Sequence, residues 1–135
     1  MKYWMVKQEP AEYSFDRLLA DKTTDWTGIR NFQARNNLRE MRVGDKVFFY
    51  HSGSEKSIVG LAEVSREAFT DPTDEEGKWI AVEIRAVRKL EKTASLDEIK
   101  RQPDLQNIAL IKQSRLSVIP LSETEFKTII EMTEK

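Results

Sequence analysis

The sequence comprises 135 residues, of which 39% are apolar and 33% charged, with a formal net charge of −1 and no cysteine. That length suits one domain with a substantial core, and the lack of cysteine excludes a disulfide scaffold, a thiol nucleophile and a zinc–cysteine site. Residues 1–10 lack the apolar core of a signal peptide, and no apolar run approaches membrane-spanning length. We therefore expect one domain over residues 1–135 of a soluble, cytoplasmic protein without a membrane partner, and we favour a monomer.

The first two elements are a strand and a short helix. The apolar and aromatic run KYWMVK ends before Pro10 and predicts a strand. The segment SFDRLLADK begins at Ser14, a residue type that caps helices well, and predicts a helix. Its buried side is expected to carry Phe15, Leu18 and Leu19.

A second helix is predicted over NFQARNNLREMR, followed by a strand over DKVFFYHS. Ala34, Leu38 and Met41 recur at helical spacing as the buried stripe, and Gly44 follows where a helix-ending glycine is expected. Arginines at the same spacing predict a row of guanidinium groups on another side of the helix, formed by Arg35, Arg39 and Arg42. The strand is apolar on both faces, which is typical of a strand that is covered on both sides.

The second half of the chain predicts further strands and two capped helices. SIVGLAEVSREAF predicts a strand in which Gly60 marks a bulge or a close approach, and KWIAVEIRAVRKL alternates apolar and charged residues as a half-buried strand does. Capping boxes at Ser95–Glu98 and Ser122–Glu125 predict helix starts, and RLSVIPL predicts a last strand. Strands and short helices without regular alternation predict an α+β fold, with a curled, mostly antiparallel, barrel-like sheet and helices over its openings.

Residues 26–52 combine positive charge with aromatic rings and side-chain amides. Five Lys or Arg residues stand against two acidic residues, a local balance of +3 in a chain whose net charge is −1. Such a local basic patch suits a limited footprint on a phosphate backbone. Trp26 can stack on a flat heterocycle while nearby amides read its edge, namely those of Asn31, Gln33 and Asn36. A solvated helix face and helix capping are the alternative interpretations, and Trp79 is expected in the core.

His51, the one histidine, raises the question of catalysis. Ser52 follows it directly and therefore points to the opposite face of a strand, and no G-x-S-x-G turn presents a nucleophile. No recognisable motif supplies a residue that would orient its ring as a general base requires. The glycines form neither a Walker A loop nor a G-x-G-x-x-G loop, and no second histidine or cysteine supports a metal site. We expect no enzyme, no cofactor and no metal, with His51 as a structural or ligand-facing hydrogen-bonding residue.

Four separated segments resemble one known family. YWMVKQEPAEYS, WTGIRNFQARNNLREMRVGDKVFFYHS, IVGLAEV and RLSVIP occur in the order and nearly the wording of the EVE domain, a member of the PUA-like group that also includes ASCH and YTH domains. The resemblance covers essentially the whole chain. It implies a pseudo-barrel of mixed strands with short helices packed around it, and an aromatic pocket suited to a modified nucleobase in DNA or RNA.

The residues that carry this resemblance fall into four blocks of the sequence: Lys7, Gln8, Glu9 and Pro10; Trp26, Gly28, Arg30, Asn31, Gln33, Ala34, Arg35 and Asn36; Tyr50, His51 and Ser52; and Arg115, Leu116, Ser117, Val118 and Pro120. Two blocks depart from the family's usual pattern. Gln8 replaces a serine, and Ser114 and Ile119 replace a glycine and a glutamine. The larger amide of Gln8 could narrow the pocket, which leaves the identity of the ligand open.

These observations lead to the hypothesis of a non-catalytic nucleic-acid-binding module that recognises a modified base in an aromatic pocket with a basic rim. In this hypothesis Trp26 stacks on the base, and Tyr50 forms a second wall or bonds through its hydroxyl. Base-edge contacts are assigned to Gln8, Asn31, His51 and Ser117, and phosphate contacts to Arg30, Arg35, Arg39 and Arg115. The family blocks add Lys7, Glu9, Gln33, Asn36 and Ser52. The alternatives are a pocket for a free nucleoside or other small molecule, with or without hydrolytic activity, and a protein-interaction module.

Overall fold

The computed structural model describes residues 1–134, and within them six strands form a single mixed sheet. The strands are β1 (Tyr3–Gln8), β2 (Thr23–Trp26), β3 (Lys46–His51), β4 (Ser57–Thr70), β5 (Ile80–Ser95) and β6 (Val118–Leu121). Their order across the sheet is β2-β5-β4-β3-β1-β6. Only the β1–β3 pair among them is parallel, and the other neighbours are antiparallel. This arrangement confirms the predicted α+β class.

Helices lie between the strands and cover the sheet. They are α1 (Phe15–Asp21), α2 (Phe32–Glu40), α3 (Leu96–Lys100), α4 (Ala109–Lys112) and α5 (Glu123–Thr133), with a 3₁₀ turn over Pro103–Leu105. Both predicted capping boxes are present, at the starts of α3 and α5. Within residues 1–134, no helix has the length and apolar character that crossing a bilayer requires.

The sheet curls strongly without closing on itself. Two strands lie between β2 and β3, so in a flat sheet β2 and β3 would be about 14 Å apart. Instead, the rings of Trp26 on β2 and Phe49 on β3 meet edge to face with their centroids 5.5 Å apart. The edge strands are β2 and β6, and α2 contacts β6, β5 and β4. The result is an open, curled sheet that agrees with the pseudo-barrel implied by the EVE resemblance, with Trp26 packed on β3.

Gly60 allows the inner face of the curled sheet to be filled by an aromatic ring. A Cβ atom at this position would collide with the buried ring of Phe15, the first residue of α1. The strand also shifts register on both sides of Gly60, against β3 and against β5. The predicted close approach and bulge at this glycine are therefore confirmed, and they bring α1 against the sheet.

Three details of the predicted helices are wrong. Leu19 is 37% exposed, because the contact of α1 is centred between Phe15 and Leu18 and leaves Leu19 at its margin. The second helix ends at Glu40, where the extended residue Met41 stops it. Arg42 therefore lies beyond the helix, and its guanidinium donates to the carbonyls of Arg39 and Met41. Gly44, with φ of +93°, belongs to the following turn and not to the helix end.

Both faces of β3 are buried, as its apolar sequence predicts. The described apolar side chains form one cluster, in which Phe49 contacts Trp26 on one face of β3 and Phe48 stacks on Phe126 of α5 on the other. The prediction that Trp79 lies in the core is wrong. Trp79 is only partly buried, lies just before β5 and packs on Phe32, which is itself 64% exposed.

Candidate nucleic-acid interface

Three separated blocks of sequence meet at one end of the sheet. Because β1 and β3 are parallel, their C-terminal ends lie side by side, with Lys7 opposite Tyr50 and Gln8 opposite His51. The antiparallel strand β6 begins at the same end, where the Lys7 amide donates to the Ser117 carbonyl at 3.0 Å. The Ser52 amide donates to the Gln8 carbonyl at 2.9 Å. We call residues 7–9, 26–33, 50–52 and 112–117 the candidate interface.

A small cleft runs along Trp26 on the inner face of the sheet. It has a volume of about 180 Å³ and is lined by Gln8, Tyr13, Thr24, Asp25, Trp26 and Thr27. Trp26 is only 5% exposed, so it presents the margin of its indole and not an open face. The side-chain oxygen of Gln8, Oε1, accepts from the Glu9 backbone amide, which leaves the side-chain NH₂ of Gln8 to face a ligand. The sequence did not indicate Tyr13, Thr24 or Asp25, because the short strand β2 was not predicted.

Tyr50 lines a different pocket, on the opposite face of the sheet. This pocket of about 260 Å³ is bounded by Lys7, Tyr50, Ser52, Gly53, Lys56, Leu96, Leu110 and Ser114. The Lys7 ammonium donates to the Ser114 carbonyl at 2.7 Å and lies 5.9 Å from the centre of the Tyr50 ring. Burial lowers the pKa of Lys7 and raises the pKa of Tyr50. The prediction that Tyr50 and Trp26 wall one pocket is wrong, because Trp26 contacts Phe49 and adjacent strand residues point to opposite faces.

A third pocket joins the start of α2 to the segment before β6. It has a volume of about 310 Å³ and is lined by Asn31, Gln33, Lys112, Gln113, Ser114, Arg115 and Leu116. Ser114 also lines the Tyr50 pocket, so these two pockets adjoin. The Asn31 side-chain oxygen caps α2 by accepting from the Ala34 amide at 2.9 Å, which leaves its NH₂ available. Lys112 and Gln113 were not predicted, since no pattern connects them to the distant block at residues 31–33.

Most of the basic side chains in residues 26–52 have partners within the protein. Arg30 pairs with Asp71 at 3.0 Å, and Lys46 pairs with Glu63 at 2.8 Å. Arg35 donates to the Lys78 carbonyl at 3.2 Å and packs on two aromatic rings. The predicted row of three guanidinium groups is therefore not formed. Of the four arginines predicted to contact phosphate, the two that make no ion pair or side-chain hydrogen bond within residues 1–134 are Arg39 and Arg115.

Asp71 holds the segment that leads into α2 in place. Its carboxylate is fully buried and accepts from the Gly28 amide at 2.9 Å, from both the amide and hydroxyl of Thr73 at 2.7 Å, and from Arg30. Burial raises the pKa of Asp71, but the hydrogen bonds from Thr73, Gly28 and Arg30 outweigh it and lower this pKa to about 2. Arg30 thus ties the 71–79 loop to the segment after Trp26.

His51 is held on both sides of its ring. Its Nε2 accepts from the buried Phe15 amide at 3.0 Å, and its Nδ1 bonds to the Glu55 carboxylate. These partners assign the neutral tautomer with the proton on Nδ1. No recognisable motif in the sequence marked a residue that orients this ring, and in the structure Glu55, four residues later, does so. The Nε2 lone pair that a general base would use is occupied by the start of α1.

The remaining predicted residues have mixed positions. Glu9 is exposed, and its carbonyl accepts from the amides of Glu12 and Tyr13. Asn36 lies outside the candidate interface, in a groove with Lys2 and Trp4 near the other end of β1. Within residues 1–134, no three histidine or carboxylate side chains come together as metal ligands would.

Comparisons with known proteins establish the family of this chain. Residues 2–132 match the family model described as EVE domain. The chain belongs to the EVE domain family. Human thymocyte nuclear protein 1 is 32% identical over 98% of this chain and 74% of its own length.

Several solved structures share the EVE fold over nearly the whole chain. An NMR structure of a Rhodopseudomonas palustris protein is 43% identical with a TM-score of 0.93, covering 98% of this chain and 93% of that one. The crystal structure of human THYN1 protein in complex with 5-methylcytosine containing DNA is 32% identical with a TM-score of 0.91, covering 100% and 99%. An ASCH mutant protein from Zymomonas mobilis, 14% identical with a TM-score of 0.65 over 98% and 99%, resembles the chain in fold alone.

Proposed function

We propose that this EVE domain is a non-catalytic nucleic-acid-binding module that recognises a modified base. The observation that carries the proposal is its full-length similarity to human THYN1 protein, whose structure is a complex with 5-methylcytosine containing DNA. The candidate interface supports it independently, because amide, aromatic and cationic side chains from four blocks of sequence meet at one end of the sheet. No single block holds this combination.

The Trp26 cleft is the proposed site for the base. The indole margin offers an apolar contact, and the free NH₂ group of Gln8 is a donor suited to ring nitrogens and carbonyls at a base edge. The free NH₂ group of Asn31 lies in the separate pocket with Arg115, where it can contact the strand beside that base. Arg115 and Lys112 line the pocket at the start of α2, where they can contact the phosphates that flank the base. The volume of the cleft and the size of Gln8 favour recognition of part of a base edge over full enclosure.

The state of His51 supports the non-catalytic part of the proposal. A general base needs a free lone pair within hydrogen-bond reach of the proton that it removes. Here the lone pair on Nε2 accepts from the backbone of α1, and the Nδ1–H faces Glu55. The ring therefore serves as a structural link between β3 and α1.

Binding to matched oligonucleotides tests the proposal. Short DNA and RNA strands that differ only in one 5-methylcytosine or cytosine are titrated against the protein, with fluorescence anisotropy as the measurement. We expect binding of at least one nucleic acid, with a difference between the modified and unmodified strands. Equal affinity for every modified and unmodified pair, across single and double strands, would remove the modified-base part of the proposal.

Trp26→Phe tests the cleft, with Trp4→Phe as its matched control. Complete removal of the buried Trp26 ring would cost about 3–5 kcal/mol of stability, so alanine is unsuitable here. Phenylalanine keeps a ring but shortens it, and we expect a roughly threefold to tenfold loss of affinity because base–aromatic contact is reduced. Trp4 is equally buried, but its indole NH bonds to Asp45 near the other end of β1. Once folding is verified by circular dichroism, Trp4→Phe should bind as the wild type does.

A further inference from the structure

Two aromatic rings meet at the edge of the candidate interface, with Phe32 at the surface and Trp79 partly buried beside it. Phe32 is 64% exposed, and its ring centre lies 5.1 Å from that of Trp79, with the ring planes tilted by 34°. The Arg35 guanidinium carbon lies 4.9 Å from the centre of Phe32 and 5.3 Å from that of Trp79. We call Phe32, Arg35 and Trp79 the aromatic platform.

The platform is held in place by hydrogen bonds on both sides. Asn31 caps α2, which fixes Phe32 as the first residue of that helix. The Trp79 amide donates to the Asp74 carboxylate at 2.8 Å, and Arg35 donates through Nη1 to the Lys78 carbonyl. Because these groups are ordered before any ligand arrives, binding to them loses little conformational entropy.

Phe32 is the exposed member of the aromatic platform, and Trp79 and Arg35 are partly buried beside it. Single exposed apolar side chains are ordinary, whereas exposed apolar clusters mark interaction sites. The buried Arg35 Nε has no hydrogen-bond partner among the described residues, so its guanidinium is placed by contact with the rings and the Lys78 carbonyl. An aromatic surface backed by guanidinium is the type of surface on which nucleobases stack.

Local charges favour an anionic chain over this surface. Arg39 follows Arg35 by one helical turn on the same side of α2 and makes no ion pair within residues 1–134. The nearby loop is acidic: Asp74 accepts three backbone amides, Glu76 pairs with Lys78 at 3.0 Å, and Glu75 is exposed without an ion pair among the described residues. Arg39 therefore supplies its free positive charge on the side of the platform that belongs to α2. Phosphates can therefore follow the α2 side of the platform.

The platform also adjoins the pocket that is proposed to hold the phosphates flanking the recognised base. Phe32 stands between Asn31 and Gln33, which line the pocket with Arg115, and consecutive Cα atoms are about 3.8 Å apart. We propose that the aromatic platform stacks an unpaired nucleobase adjacent to the recognised base. This inference rests on the proposed function, and it assigns the platform a separate base with its own contact.

A single-stranded DNA probe that contains one 5-methylcytosine and a fluorescent 2-aminopurine tests the inference. The 2-aminopurine is moved from position to position on either side of the modified base. We expect its emission to be quenched on binding at one adjacent position, because stacking quenches this base. Phe32→Ala should abolish that quenching and lower affinity by about fivefold to a hundredfold.

Three further variants and probes separate the outcomes. Phe32→Trp should retain the quenching, and Val43→Ala, which trims another exposed apolar side chain (61% exposed), should change nothing. The inference is overturned if Phe32→Ala binds and quenches as the wild type does, while the proposed function stands. It is overturned as well if free 5-methyldeoxycytidine loses as much affinity in Phe32→Ala as the strand does. If the wild type binds no oligonucleotide, the proposed function and the inference both fail.

Discussion

At the residue scale, His51 links the end of β3 to the start of α1. The first amides of a helix have no partner within the helix, and the imidazole Nε2 satisfies the Phe15 amide in a buried setting. His51→Ala should leave that N–H unsatisfied and lower the free energy of unfolding by about 1–3 kcal/mol. His51→Gln, which can accept through its side-chain oxygen, should lose less. Urea denaturation followed by tryptophan fluorescence measures both differences.

The same variant distinguishes binding from catalysis. We expect His51→Gln to keep measurable binding, since the ring serves the fold. Neither it nor the wild type should convert a modified nucleoside or oligonucleotide, as followed by chromatography of the products. Turnover by the wild type that disappears in His51→Gln, with binding intact, would identify an enzyme and contradict the proposed function.

At the element scale, Asp71 joins the 71–79 loop to the segment that leads into α2. Its pKa of about 2 in the folded state lies below the ordinary value of 3.8. The ionised carboxylate therefore contributes stability that is complete above pH 4 and is lost as the pH falls through about 2. The lowered pKa corresponds to about 2 kcal/mol at neutral pH. Asp71→Asn should be destabilised by that order at pH 7 and by about half as much at pH 3, where the folded-state carboxyl is still mostly ionised.

The measurement for Asp71 is the difference in unfolding free energy between variant and wild type at the two pH values. Asp104→Asn is the matched control, because Asp104 is exposed and makes no side-chain hydrogen bond within residues 1–134. That control should change stability by less than about 0.5 kcal/mol at either pH. A penalty for Asp71→Asn that does not change between pH 7 and pH 3 would show that the charge of the carboxylate contributes nothing.

Local patterns predicted most elements, and partners distant in sequence explain the failures. The strand at 46–51, the close approach at Gly60 and both capping boxes follow from residues within one segment. Arg42 lies outside the predicted helix because Met41 adopts an extended backbone conformation. Met41 is buried in the core all the same, so the spacing of apolar residues continues past the point where the helix ends. Trp79 lies outside the core because its backbone amide bonds to Asp74 and not to a neighbouring strand. Its ring packs instead on Phe32, which is 47 residues earlier in the sequence.

At the scale of the whole molecule, the sequence indicated which blocks belong to the candidate interface but not how they face one another. The parallel pairing of β1 and β3 aligns Lys7 with Tyr50 and Gln8 with His51, and this register sends the two pairs to opposite faces. Neither the composition nor a sequence motif specifies which residues of two strands are paired. The charge balance of residues 26–52 likewise overstated the basic surface, because Asp71 and Glu63, which neutralise Arg30 and Lys46, lie outside that run.

The salt dependence of binding tests which arginines reach phosphate. Each neutralised phosphate releases condensed counterions, so removing one cation that reaches phosphate changes the slope of log K against log salt by about 0.7–0.9. Arg115 makes no ion pair within residues 1–134 and lines a pocket of the interface, so Arg115→Ala should flatten the slope by about that amount.

Lys127→Ala is the matched control for Arg115→Ala. Lys127 lies on α5 beside Phe126, which stacks on Tyr3 at the start of β1, and its exposed pair with Glu123 contributes little. The control should therefore leave both slope and affinity unchanged. A domain that binds only the free base would show almost no slope in the wild type, since no phosphate is involved. An unchanged slope in Arg115→Ala, with a steep slope in the wild type, would instead assign the phosphates to other cations of the interface, first Arg39 and Lys112.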